Sequence, residues 1–100
     1  MTLKYGLLAT FEAKPGKEAE FADFLRSGQA LAEAEEGTRT WYAFQFSDTT
    51  LGVFDSFEDE DGRQAHLNGE ITKALQQVGP DLLAKDPIIS PVGLLATKSA

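Results

Sequence analysis

The fold of this chain is most constrained by two aromatic-rich runs, 38–46 and 51–57, separated by the turn-forming residues Ser47-Asp48-Thr49-Thr50. Runs of this kind, joined by a short polar turn, predict the two antiparallel strands of a β-hairpin. Successive side chains of a strand point to opposite faces, so Trp41 and Tyr42 are expected on opposite sides of the hairpin. Both faces then carry apolar residues, and such a sheet has to be covered on each side.

The segments around the hairpin are assigned from the spacing of their apolar residues. Strands are predicted at 3–11 and 88–98, helices at 17–35 and 59–78 with an interruption at Asn68-Gly69, and a short turn at 80–83. The order β-α-β-β-α-β predicts an α+β, ferredoxin-like domain, in which a four-stranded antiparallel sheet carries both helices on one face. Pro91 has no N–H to donate, so the last strand is expected to carry a bulge there or to lie partly at an edge.

The composition describes one domain, residues 1–100, with 42% hydrophobic residues and a net charge of −7. That charge disfavours nucleic acid and anionic membrane surfaces as partners. No segment approaches the length of a membrane span, and no signal peptide is expected at the N-terminus. The chain has no cysteine, which excludes thiolate metal sites and fits a cytoplasmic location.

Five short motifs follow one another along the chain: Lys14-Pro-Gly-Lys-Glu-Ala-Glu-Phe21, Glu36-Gly37-Thr38, Trp41-Tyr42, Val53-Phe-Asp-Ser-Phe-Glu58 and Gln64-Ala-His-Leu67. In this order they resemble the antibiotic biosynthesis monooxygenase (ABM) family, whose members are small dimeric α+β barrels. The resemblance covers nearly the whole chain. It agrees with the apolar second face of the predicted sheet, through which we expect two copies of the chain to pack as a homodimer.

The resemblance implies a cofactor-independent monooxygenase that oxidises a small aromatic quinol or phenol in a pocket between the sheet and the helices. The deprotonated substrate would itself reduce dioxygen, so neither a metal nor another cofactor is expected. Two other readings stay open. One is a non-catalytic dimeric module that binds a small hydrophobic ligand, and the other is an isomerase or lyase that uses the same pocket.

His66 is the only histidine of the chain and the first candidate for a catalytic acid or base. The alternative is a structural histidine that ties its helix to a carboxylate or a carbonyl group. Asp55 is the second catalytic candidate, since relatives commonly carry a glutamate at this position. It could orient His66 or act as the base, or it could be a strand-end acid paired with Arg39 or Arg63.

Four further residues are candidates for substrate binding: Trp41, Tyr42, Phe54 and Arg39. The aromatic residues could stack on a ligand or simply form the core, and Trp41 could also donate its indole N–H. Arg39 could hold a phenolate or pair on the surface. Haem-degrading relatives combine the histidine with an asparagine on the first strand and a tryptophan after the third. Neither residue occurs there in this chain, so haem and metal ligation are not expected.

Overall fold

The strands and helices, which the computed structural model describes over residues 3–98, follow the predicted order. They are β1 Tyr5–Glu12, α1 Glu18–Glu33, β2 Thr40–Gln45, β3 Thr50–Phe57, α2 Glu60–Leu67, α3 Glu70–Leu82 and β4 Ile88–Gly93. The hairpin of β2 and β3 lies where the aromatic runs predicted it. The single interrupted helix of the prediction is two helices, α2 and α3.

The four strands form one sheet in the order β2-β3-β1-β4, and every neighbouring pair is antiparallel. This arrangement confirms the predicted α+β, ferredoxin-like fold. Pro91 lies in β4, opposite Leu7 of β1. Because β4 is an edge strand with one neighbour, the missing N–H of Pro91 does not interrupt pairing with a second strand. The proline predicted such an edge position.

The hydrophobic core lies between the sheet and the helices. Phe11 of β1 and Leu51 and Val53 of β3 are buried on the helix-facing side, together with Phe21 and Leu25 of α1. The Phe11 and Phe21 rings pack with their centroids 5.1 Å apart. The periodic apolar stripe of α1 therefore meets the alternating apolar residues of the two central strands, which is how both patterns become buried at once.

The break between α2 and α3 occurs at Asn68-Gly69. The Asn68 side chain donates a hydrogen bond of 2.9 Å to the carbonyl oxygen of Gln64 and so caps the end of α2. A Cβ atom at Gly69 would lie 2.7 Å from Oε2 of Glu35, which is too close for any other residue without a shift of the acid. The glycine thus admits the Glu35 side chain between the helices.

The predicted turn at 80–83 is wrong, because α3 continues through Pro80 to Leu82. A proline removes one helical hydrogen bond, but it does so here in the last turn of α3, and Leu82 and Leu83 beyond it are buried in the core. Lys14 also donates a hydrogen bond of 2.7 Å to the carbonyl of Pro80. Burial and this bond maintain a helical end that local propensity disfavours.

The last strand is shorter than predicted, since β4 ends at Gly93. Gly93 is paired with Tyr5, the first residue of β1. One more backbone hydrogen bond, 2.9 Å from the N–H of Leu94 to the carbonyl oxygen of Lys4, follows this pair. Because β1 begins at Tyr5, the apolar alternation in residues 94–98 does not produce a strand.

The sheet face opposite the helices, here called the open face, is largely apolar. It carries Leu8 of β1, Tyr42 and Phe44 of β2, Phe54 of β3 and Val92 of β4. Tyr42 is 59% exposed. Exposed aromatic residues of this kind are typical of interaction surfaces.

Candidate functional site

His66 is buried between two carboxylates. Its Nε2 lies 2.9 Å from Oδ2 of Asp55, and its Nδ1 lies 2.7 Å from Oε1 of Glu35. Asp55 is only 2% exposed, whereas the Glu35 side chain is 21% exposed. The three residues form a hydrogen-bonded row, here called the triad, that runs from the interior towards the surface.

The triad holds His66 as an imidazolium cation at neutral pH. Burial lowers the pKa of His66, but the hydrogen bonds and charges of Asp55 and then Glu35 outweigh it, and the pKa rises from 6.5 to about 9. Both ring nitrogens then carry a proton, and each donates to one carboxylate. With two carboxylates and one cation, the triad has a net charge of −1 when the carboxylates are ionised.

Four separate segments of the chain place the triad. His66 lies in the last turn of α2, where the negative end of the helix dipole favours a cation. Asp55 lies on the helix-facing side of β3 by strand alternation. Glu35 follows the end of α1, and the Thr38 hydroxyl donates a hydrogen bond of 2.7 Å to its Oε1. Gly69 leaves room for its other oxygen.

A small apolar cavity, here called the inner cavity, lies beside the triad. It provides about 50 Å³ for the centres of water molecules, which is room for only a few waters. Its lining is mostly aliphatic and aromatic, with Leu7, Phe24 and Leu75 among the wall residues. Asp55 and His66 supply the charged part of the wall.

Two polar atoms in this wall are buried without a hydrogen-bond partner among residues 3–98. They are Oδ1 of Asp55 and Nε1 of Trp41, and both residues line the inner cavity. The Trp41 ring packs against Gly28 of α1, where an added Cβ would lie 3.3 Å from the ring atom Cζ2. Buried polar atoms are nearly always satisfied in proteins, so these two identify where a ligand or water would bind.

A wider concave region, here called the outer groove, lies between α3 and the segment that leads into β4. It provides about 540 Å³ for water centres, and three of its residues also line the inner cavity: Thr72, Leu75 and Ile89. These side chains form the wall between the two spaces. They belong to α3 and the edge strand β4, and so a change in this wall would connect the cavity with the groove.

The structure brings three of the six candidate residues together. His66, Asp55 and Trp41 line the inner cavity. Tyr42 and Phe54 are opposite one another on the open face and do not line it. Arg39 is exposed, and its Nε lies 3.2 Å from Oε1 of Glu58.

Glu35 is the site residue that sequence reasoning missed. It is separated from His66 by 31 positions in sequence, yet their side chains are in direct contact. The only local signal was its position between the helix and the Glu36-Gly37-Thr38 motif. Glu33 and Glu36 offered the same residue type nearby, so the sequence could not single it out.

The donor arrangement does not resemble a metal centre. Within residues 3–98, no group of three or more side chains is placed to bind a metal ion. Both nitrogens of His66 are also bound to carboxylates, which leaves no free lone pair for a haem iron. Over the same residues, no helix has the length and hydrophobicity needed to cross a bilayer.

The profile of the family described as antibiotic biosynthesis monooxygenase matches residues 5–78 of this chain. The chain belongs to this family. The ABM assignment confirms the resemblance of the ordered motifs. No functionally curated protein gives a significant match.

Solved structures agree with the ABM fold. A protein of unknown function from Nitrosomonas europaea is 52% identical and superposes with a TM-score of 0.96, covering 98% of this chain and 95% of that one. A protein from Pseudomonas aeruginosa is 23% identical, with a TM-score of 0.82 over 96% of this chain and 98% of that one. A candidate antibiotic biosynthesis monooxygenase from Nitrosomonas europaea is 16% identical, with a TM-score of 0.82 over 92% and 99%.

Proposed function

We propose that this ABM protein is a cofactor-independent oxygenase that binds a phenol or quinol in the inner cavity. The observation that carries the proposal is the free Oδ1 of Asp55, a buried carboxylate oxygen without a donor in the wall of an apolar cavity. A phenolic O–H supplies the missing donor, and the apolar wall accepts the aromatic ring. Family membership supports the same chemistry.

In the proposed reaction, Asp55 accepts the hydroxyl proton at Oδ1 and leaves an electron-rich anion. The anion transfers an electron to dioxygen, and recombination of the two radicals forms a peroxide anion on a ring carbon. This anion takes the proton back from Asp55 and becomes a hydroperoxide, which regenerates the carboxylate. Loss of water then leaves a carbonyl group, so a hydroquinone gives a hydroxyquinone. One oxygen atom of dioxygen enters the product and the other becomes water, and the substrate supplies all the electrons.

His66 serves this reaction through Asp55. Its Nε2–H holds Oδ2, which fixes the carboxylate and leaves Oδ1 free. Its positive charge also offsets the negative charge that develops on the substrate in a site that excludes water. Both ring nitrogens are occupied, so we assign His66 a positioning and electrostatic role, with Asp55 as the base.

The size of the inner cavity favours a single ring over a polycyclic substrate. Room for a few waters is less than the volume of common ligand pockets, so even one ring has to displace part of the wall. Thr72, Leu75 and Ile89 are the residues whose movement would admit it from the outer groove. A polycyclic ring system would require a much larger rearrangement.

Oxygen consumption by metal-stripped protein tests the function, with a panel of hydroquinones and naphthoquinols as substrates. We expect uptake above the spontaneous rate, abolished in Asp55→Asn. Asp48→Asn, which changes an exposed turn acid in the same way, is the matched control and should keep full activity. The proposal fails if Asp55→Asn consumes oxygen like the wild type. It also fails if no quinol is oxidised while ligands still raise the melting temperature, which is the behaviour of a binding module.

We also propose that two chains pack through their open faces as a homodimer. The exposed aromatic residues of this face support it, since monomers rarely expose a large contiguous apolar surface. Phe46, the residue after β2, is 62% exposed, and its ring packs edge-on to that of Phe44 with the ring centroids 5.2 Å apart. A second copy is the partner that meets such a face with equal hydrophobicity.

Light scattering tests the dimer. We expect twice the chain mass for the wild type and the single-chain mass for Phe46→Glu. Leu31→Glu, which places the same charge at an exposed apolar position of α1, should remain dimeric. A wild-type monomer at micromolar concentration would contradict the proposal.

A further inference from the structure

The two unpartnered polar atoms of the inner cavity belong to facing residues of neighbouring strands. Trp41 of β2 is directly opposite Asp55 of β3 in the antiparallel register. Side chains of such a pair lie on the same face of the sheet with their Cβ atoms about 4.5–5.5 Å apart. The two side chains therefore start from adjacent positions on the helix-facing side of the sheet, and both line the inner cavity.

One of the two atoms is a hydrogen-bond donor and the other is an acceptor. Nε1 of Trp41 can only donate, and an ionised Asp55 can only accept. Both are buried, so bulk water does not satisfy them. A single ligand atom that satisfies both has to carry a proton and an accepting lone pair together, and a hydroxyl oxygen does this best.

We propose that Trp41 and Asp55 form a recognition site for one neutral hydroxyl oxygen on an aromatic ring. The hydroxyl donates to Oδ1 of Asp55 and accepts from Nε1 of Trp41. This rests on the proposed function and adds the class of ligand that the cavity selects. It also makes Trp41 the specificity-determining residue, because its N–H stays bound to the oxygen when the proton has moved to Asp55.

The site disfavours three classes of aromatic ligand that carry another substituent in place of the hydroxyl group. An aryl ether has no proton for Asp55. An arylamine offers protons, but its nitrogen is a poor acceptor for the Trp41 N–H. An aryl carboxylate is repelled by the net negative triad formed by Glu35, His66 and Asp55.

Water has the same donor and acceptor pattern as a hydroxyl and can occupy the site in the free protein. A phenol that enters the cavity takes over both hydrogen bonds while its ring contacts the apolar wall. An ether of the same size displaces the water without replacing its bond to Asp55. The ratio of the affinities for a phenol and for an ether of the same size therefore measures the contribution of the hydrogen bond to Asp55.

The test compares phenol with anisole by NMR titration, observing the ring protons of His66. The chain has one histidine, so the signals need no assignment, and Asp55 links this ring to the ligand. We expect phenol to bind at least about tenfold more tightly than anisole, the loss associated with a hydrogen bond to a charged group. Equal affinities would overturn the proposal, and this result requires no variant.

Trp41→Phe keeps an aromatic ring but removes the N–H together with part of the indole volume, so a ligand without oxygen is needed to measure the effect of size. We expect it to weaken phenol binding about fivefold relative to the binding of toluene, a ring of similar size whose methyl group cannot accept the N–H. Equal weakening of both ligands would show that Trp41 is only part of the apolar wall and would overturn its assigned role. The titrations are run in anaerobic buffer, so binding is measured without turnover. Selective phenol binding without oxygen uptake from any quinol would keep this inference and reject the oxygenase.

Discussion

The most informative prediction concerns the pH dependence of stability, because it follows from the triad alone. His66 has an ordinary pKa of 6.5 when unfolded and about 9 when folded. The folded state therefore binds the proton more tightly, and the difference corresponds to about 3 kcal/mol of unfolding free energy. This stabilisation is fully present below pH 6.5 and is lost as the pH rises through 9.

Urea denaturation of the wild type at pH 6 and pH 10 measures this loss. Other groups also titrate in this range, so the matched control is His66→Gln, which preserves a polar side chain and removes the titration. We expect the wild type to lose about 3 kcal/mol more than the variant between the two pH values. An independent NMR titration of the single histidine should give a pKa near 9.

Two results would refute this reasoning. A pKa near 6.5 for His66 in the folded protein would mean that the carboxylates do not stabilise its cation. An equal decrease in stability for the wild type and His66→Gln would place the pH dependence elsewhere in the chain. Either outcome would remove the electrostatic role assigned to His66.

Three further changes test neighbouring parts of the structure. Glu35→Gln removes one carboxylate and should lower the pKa of His66 in the NMR titration, while the Asp55 contact keeps it above 6.5; an unchanged pKa would contradict the Glu35 contact. Gly69→Ala should lower both the pKa of His66 and the urea midpoint, because the new Cβ would lie 2.7 Å from Oε2 of Glu35. Gly93→Ala is the control: its new Cβ enters open space and should change neither quantity. Phe21→Ala should cost about 3–5 kcal/mol in urea denaturation, because this ring is fully buried, and a cost below 1 kcal/mol would contradict its place in the core.

The fold could be predicted from the sequence because its information is local and periodic. The aromatic hairpin, the stripe of α1 and the edge position of Pro91 depend on alternation and residue chemistry within short segments. The helical end at Pro80 could not be predicted in this way. Burial of Leu82 and Leu83 in the core stabilises it, and tertiary contacts are invisible to local propensity.

The candidate site could be predicted only in part. His66 and Asp55 were found from residue type and family motifs, but Glu35 is recognisable only after the chain has folded. The alternation of side chains along β2 could also have excluded one of the candidate residues. It placed Trp41 and Tyr42 on opposite faces, and so only one of them could line a cavity between sheet and helices.

One end of the inner cavity is fixed by hydrogen bonds and the other by apolar packing, so the two ends differ in how readily they can change during evolution. At one end, Asp55 is tied through His66 to Glu35, and replacing any member disturbs the other two. At the other end, Leu75 and Ile89 form the wall by apolar contact. Mutations there can alter the shape of the accepted ring without touching the proton-binding groups. Under the proposed function, new substrate preferences are therefore expected to arise on α3 and β4, while the triad is retained.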